Sequence, residues 1–252
     1  MNTVNRDLKT TFAKVSALYA EARPDYPTEL IERIIQFSGI APGGRILDIG
    51  CGNGQASLPF AERGHEVLGI DISAEQIAIA KEKAAGIPNI RYQVGSFEEM
   101  DLGENSWDLI ISAQAFHWVD PKIGYPKAYR LLKQDGTFAL FWNLTDYEHG
   151  AAFLPEIKRL SKKYCPDRPK QFTTTAGLTR FSPFEKHLEE SFFHSVDYTK
   201  TRYLKLLHTM SWVSSLPEET KKAFFDEVKR VLKNEREPLT LSYRTELILA
   251  KK

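Results

Sequence analysis

Cysteine, net charge and long apolar runs are all scarce in this chain. Cys51 and Cys165 are the only cysteines in 252 residues, and their spacing offers neither a disulfide framework nor the close pairs of a zinc site. Against 34 Lys and Arg stand 33 Asp and Glu, a formal charge of +1, so no overall field would draw nucleic acid or an anionic membrane. Met1 to Thr10 is polar and lacks the apolar centre of a signal peptide, and no apolar run approaches the ~20 residues of a membrane span. No repeat or low-complexity tract is found. The expectation is a cytoplasmic protein, monomer or homodimer, with a small-molecule partner and neither nucleic acid nor membrane. The length has room for one large α/β domain with appendages.

What the chain does have is Arg45-Ile46-Leu47-Asp48-Ile49-Gly50-Cys51-Gly52-Asn53-Gly54, a buried-strand run ending in an acid, then glycine at alternate positions before a helical pattern. Such a strand-to-helix turn lets a nucleotide or nucleoside approach the backbone with no Cβ in the way. A dinucleotide fingerprint, Gly-x-Gly-x-x-Gly, needs its third glycine where Gln55 stands. Asp48 would also set a carboxylate beside an anionic diphosphate, whereas a ligand bearing an ammonium group would be attracted. An amino-acid-bearing nucleoside fits better, and an NAD-dependent oxidoreductase is the disfavoured rival.

Some sixteen residues on, Glu66-Val67-Leu68-Gly69-Ile70-Asp71-Ile72-Ser73 is a second apolar strand ending in an acid, at roughly the distance of a ribose-binding carboxylate in a βαβ unit. Tyr92-Gln93-Val94-Gly95-Ser96-Phe97-Glu98 and the run from Trp107 to Trp118 follow in order. With the glycine loop, these four segments resemble the successive motifs of class I S-adenosylmethionine-dependent methyltransferases. The segment Tyr19 to Pro27 is similar to one in a small-molecule branch that includes trans-aconitate methyltransferase-like enzymes. The resemblance implies S-adenosylmethionine as cofactor, S-adenosylhomocysteine as product, and a methyl group passed in line to an O or N nucleophile of a small acceptor, such as a small organic acid. A non-catalytic S-adenosylmethionine-binding module is the alternative.

Carried onto this chain, the resemblance assigns Asp48 to the methionine ammonium, directly or through water, and Asp71 to the ribose hydroxyls. Gly50, Cys51 and Gly52 would supply the loop's contacts. Ile72 would cover a base face, and Phe97 would present its backbone N–H to the adenine. Ser96 is a departure, since many members have there an acid that accepts from the adenine amino group; Glu98 is a possible substitute. Ala113 and Gln114 would line the methionine arm. His117 would face the methyl group as a general base, a duty suited to its near-neutral pKa, the bland alternative being a packed ring beside Trp118. Arg23 would clamp a carboxylate and Tyr19 would close over the sulfonium. Phe141, Trp142 and Trp212 are candidate walls of an acceptor pocket, or simply core. No metal site is expected.

The expected fold is α/β: a doubly wound, mostly parallel seven-stranded sheet of Rossmann-like methyltransferase type, with an antiparallel edge strand, an N-terminal helical flap and a helical cap. One domain is expected, with the flap at 1–42, the cofactor-binding core at 43–142, and the cap and sheet-completing strands at 143–252. Two prolines in Arg23 to Pro27 divide the flap's helical patterns. The helix from Gln55 should stop at Gly64, and Ser73-x-x-Gln76 should cap the next one. Strands are expected at 107–112, 136–142, 195–203 and 239–250, and helices at 121–132 and 217–232.

Overall fold

A computed structural model describes residues 21–147, 149–166, 183–184 and 187–252. Tyr19 and most of the first helical pattern expected in the flap lie outside them. The ordered elements are α1 (Thr28–Ser38), β1 (Arg45–Ile49), α2 (Ser57–Glu62), β2 (Glu66–Asp71), α3 (Ala74–Lys83), β3 (Ile90–Val94), β4 (Trp107–Ala113), a 3₁₀ turn (Phe116–Trp118), α4 (Pro121–Leu131), β5 (Leu132–Thr145), α5 (Leu154–Tyr164), β6 (His187–Tyr198), α6 (Lys200–His208), α7 (Ser211–Ser214), α8 (Glu218–Leu232) and β7 (Leu239–Lys251).

The strands form one seven-stranded sheet in the order β3-β2-β1-β4-β5-β7-β6. From β3 to β5 every pairing is parallel. β7 runs against β5: Asp146 donates its N–H to the Ser242 carbonyl, while Lys252 donates to Gly136 at the other end. The direction of winding reverses between β1 and β4, and an open sheet of this kind takes ligands at the carboxyl ends of the strands flanking that reversal.

The chain divides into two compact units. One comprises Asp25–Asn143, Phe172–Phe192 and Thr245–Lys252. It holds β1 to β4 and most of β5, and its core includes Ile46, Phe60, Leu109, Ile111, Phe141 and Leu249, all buried. The alternation of β1, β2 and β4 is lost because both faces of these strands are covered, as parallel strands require. The other unit comprises Met1–Pro24, Leu144–Gln171 and Phe193–Arg244. Here α5, α6 and α8 bury Leu160, Leu206, Phe224 and Val228 together with Leu241 and Tyr243 of β7.

Local signals account for most boundaries. Gly64 adopts φ of +85° just beyond α2. Ser73 accepts the Gln76 N–H at 3.2 Å, and Asp120 caps α4 with Pro121 in its first turn. Two strands differ from expectation. The strand expected at 195–203 is β6, which begins earlier at His187 and stops at Tyr198, because the Thr199 side chain caps α6 by accepting from the Arg202 N–H. β5 begins not at Gly136 but at Leu132, paired with Trp107, before an irregularity around Asp135 (φ +62°).

Candidate functional site

The carboxyl ends of β1, β2 and β4 carry most of the predicted cofactor residues of the first of these units, while Ser96 and Phe97 follow β3. After β1 the backbone turns through Gly50 (φ +68°) and Gly52 (φ +54°), conformations that residues with a Cβ rarely adopt. The N–H groups of Gly50 and Cys51 both bond the Ile70 carbonyl, at 2.9 and 3.0 Å, so the loop is tied to β2. A Cβ on Gly50 would fall 2.4 Å from that of Ala115, beyond the end of β4. At Gly52 a Cβ would meet only Gln76 Oε1, at 4.0 Å, so the backbone there is open to a neighbour's approach.

Asp71 fixes this arrangement. One carboxylate oxygen accepts the Gly52 N–H at 3.0 Å and the other the Ser73 N–H at 2.8 Å, so loop and helix are held by one side chain. Burial raises its pKa while those backbone bonds oppose the rise. A carboxylate has about four acceptor directions, so capacity remains beyond these two bonds. The next side chain, Ile72, is 45% exposed, an unusual state for isoleucine.

Asp48 is fully buried beneath the loop. The Ser57 hydroxyl donates to its Oδ2, and its Oδ1 has no hydrogen-bond partner among the described residues. Desolvation drives its pKa up to about 7, with the charge of Asp71 adding to the rise and the Ser57 bond opposing it. Cys51 turns inward, with Sγ 2.9 Å from where a Gly69 Cβ would lie, and its thiol is pushed well up by burial and by the two acids.

Ser96 is half-buried and donates its hydroxyl to Glu98 at 2.7 Å. Phe97 packs as core, 6.3 Å from the Phe116 ring and under the Lys127 ammonium. Gln114 follows Ala113 with φ of +59°, strain of about 1 kcal/mol or more at a non-glycine residue. It is held by its N–H on the Phe141 carbonyl and by Nε2 on the Asn143 carbonyl, at 2.9 and 3.1 Å. Asn143 also accepts from Thr245 and donates to the Asp25 carbonyl. Neither Asn143 nor Ser57 is singled out by the sequence; the one signal was a polar side chain at a position otherwise patterned for core.

His117 lies in the 3₁₀ turn with its ring 4.8 Å from Trp118. Trp142 Nε1–H donates to its Nδ1 at 3.4 Å. Burial lowers its pKa to about 4, with no charged group contributing. Phe141 is core, edge-on to Tyr26. Arg23 and Trp212 belong to the other unit, where the Arg23 guanidinium donates to the Thr209 hydroxyl and carbonyl at 2.9 and 3.0 Å and Trp212 packs on Phe224. Among the described residues no group of His, Cys, Asp and Glu is placed to hold a metal ion, and no helix is long and apolar enough to cross a membrane.

Residues 47–140 match a family model described as a methyltransferase domain. An uncharacterized methyltransferase of Mycobacterium tuberculosis is 28% identical over 240 residues, which is 92% of this chain and 89% of that protein. A second, from Schizosaccharomyces pombe, is 28% identical over 232 residues, 91% of this chain and 88% of the other. Among solved structures, the YcgJ protein of Bacillus subtilis superposes with a TM-score of 0.60 at 20% identity, covering 90% of this chain and 99% of that one. Phosphoethanolamine N-methyltransferase 2 of Haemonchus contortus, solved with S-adenosyl-L-methionine, gives 0.57 at 18% identity, covering 94% and 56%. At these identities the structural likenesses speak for the fold. The domain match, the relatives along nearly the whole chain and the sheet order together support a class I S-adenosylmethionine-dependent methyltransferase.

Proposed function

We propose that the carboxyl ends of β1, β2 and β4 hold S-adenosylmethionine, and that its methyl group passes to an O or N nucleophile of a small-molecule acceptor. The observation that carries this reading is Asp71, whose carboxylate braces Gly52 and Ser73 beside the exposed Ile72. Its remaining lone pairs suit two vicinal hydroxyls, and Ile72 offers an apolar face to a base. The open backbone at Gly52 fits close approach of a ligand, and the unpartnered Asp48 Oδ1 fits a cationic group above it, directly or through water. Ala113 and Gln114 would flank the amino-acid arm. Ser96 and Glu98, already bonded to each other, would meet the adenine as a pair, with the Phe97 backbone beside them.

When bound, the cofactor supplies an electrophilic methyl carbon on a sulfonium, so the protein's share of catalysis is alignment and exclusion of water. The strained backbone of Gln114, pinned by two hydrogen bonds, provides a fixed wall for that alignment. The Arg23 guanidinium is engaged by Thr209 within its own unit, so the proposed contacts do not rely on it. A cytoplasmic setting and a small organic acid as acceptor stay part of the proposal, on the near-zero net charge and the branch resemblance.

The test is calorimetric titration of the full chain with S-adenosylhomocysteine, with NAD in a parallel cell. Saturable one-to-one binding of the nucleoside and none of NAD is expected. Folded protein that binds neither would end the reading, and binding without turnover across carboxylic, phenolic and amine acceptors would point to a cofactor-holding module instead.

A further inference from the structure

The protonation chemistry of His117, in the turn after β4, is set by its neighbour Trp142. An indole N–H is a donor only, so the bond from Trp142 Nε1 requires a bare lone pair on His117 Nδ1. A neutral imidazole with a bare Nδ1 carries its proton on Nε2. Nε2 has no protein partner among the described residues, and the residue is only partly buried. Its described ring neighbours, Trp118 from the same turn and Trp142 from β5, do not titrate. Burial also keeps the ring neutral, with a pKa of about 4, far below that of a base suited to neutral pH.

We propose that His117 is a fixed hydrogen-bond donor to the acceptor substrate through Nε2–H, and that the acceptor is one whose nucleophilic atom needs no enzyme base. The proposal rests on the methyltransferase reading of the site. Its partner on the acceptor is an oxygen or nitrogen lone pair, and its consequence is selection: nucleophiles ionised near neutral pH, or neutral amines, are used, while aliphatic alcohols are not. The balance closes without a proton for the protein to take. The bond from nucleophile to carbon forms as the carbon–sulfur bond breaks and sulfur keeps the pair; an anionic acceptor ends neutral, and an amine ends as an ammonium that loses its proton to water.

Long-range ¹H–¹⁵N spectra of the histidines in the full chain test this without any acceptor, His117 being assigned by the signal lost in His117→Gln. The expected spectrum has the His117 proton on Nε2, Nδ1 bare, and no titration between pH 8 and 5.5. Trp142→Phe should release Nδ1 and move the titration upward. A proton on Nδ1, or a midpoint near the ordinary value of about 6.5, overturns the proposal even if S-adenosylhomocysteine binds normally. Loss of that binding with the spectrum as expected would instead fault the cofactor reading. Once an accepted substrate is in hand, His117→Gln, which keeps a donor, should hold kcat/KM within about fivefold, and His117→Leu should lose about fiftyfold, roughly the worth of a substrate hydrogen bond. Equal loss in both, with a wild-type pH limb that vanishes, would make His117 a base and refute the donor role.

Discussion

Gly50 and Ala115 face each other across the switch point so closely that a Cβ on the glycine would lie 2.4 Å from the alanine's. The first motif and the turn after β4 are therefore fitted against one another. Gly50→Ala should lose more than about 3 kcal/mol, from the positive φ and the overlap together. Adding Ala115→Gly should restore all but the ~1–2 kcal/mol owed to φ. Urea denaturation of the four proteins in the cycle measures this; strictly additive losses would mean the two residues do not touch.

Asp71 serves the protein and the proposed ligand at once. Asp71→Asn keeps one acceptor and should weaken S-adenosylhomocysteine binding by about thirtyfold, about 2 kcal/mol. Asp71→Ala should weaken it further and also lower Tm, since the Gly52 and Ser73 N–H groups lose their partner. Calorimetry and thermal melts separate the two effects. Unchanged affinity in both variants would remove Asp71 from the site.

For Asp48 the sign of the pH dependence follows from its raised pKa. Folded, it holds its proton up to about pH 7; unfolded, it loses it near the ordinary carboxyl value of 3.8. In that window the native state binds the extra proton, so this group's contribution to stability is fullest below it and declines as pH rises through it. Asp48→Asn should flatten the decline, leaving the variant closest to the wild type at pH 4 and relatively more stable at pH 8. A ligand ammonium would draw the carboxyl into its ionised form, so binding at pH 6 should release up to one proton and at pH 8 almost none. Titrations in two buffers of different ionisation heat read the proton count, and identical heats at pH 6 would contradict it.

Ile72→Ala isolates binding from folding. The side chain is 45% exposed, so stability should move by less than about 0.5 kcal/mol. Affinity for S-adenosylhomocysteine should fall about fivefold, roughly 1 kcal/mol of lost apolar contact. An affinity that does not change would place the base elsewhere.

Where function and local chemistry coincide, the sequence was legible. The glycines after β1 announce a turn with positive φ, Ser73 and Gln76 announce a cap, and Leu241, Tyr243, Thr245, Leu247 and Leu249 write the buried face of β7 in period two. β6 was read poorly because its first half is polar and exposed, and because Thr199 and Tyr203 favour strands by type while Thr199 acts as a helix cap. The imidazole of His117 was equally opaque. Its chemistry depends on Trp142, 25 positions away, and no local pattern records that pairing.

In the sheet, β7 lies between β5 and β6, although it follows both of them in the chain. Until residues 239–251 leave the ribosome, β5 and β6 have hydrogen-bonding edges with no strand to fill the gap. For the newborn polypeptide this is an interval of exposure to stray strand pairing, relieved at a single step of insertion.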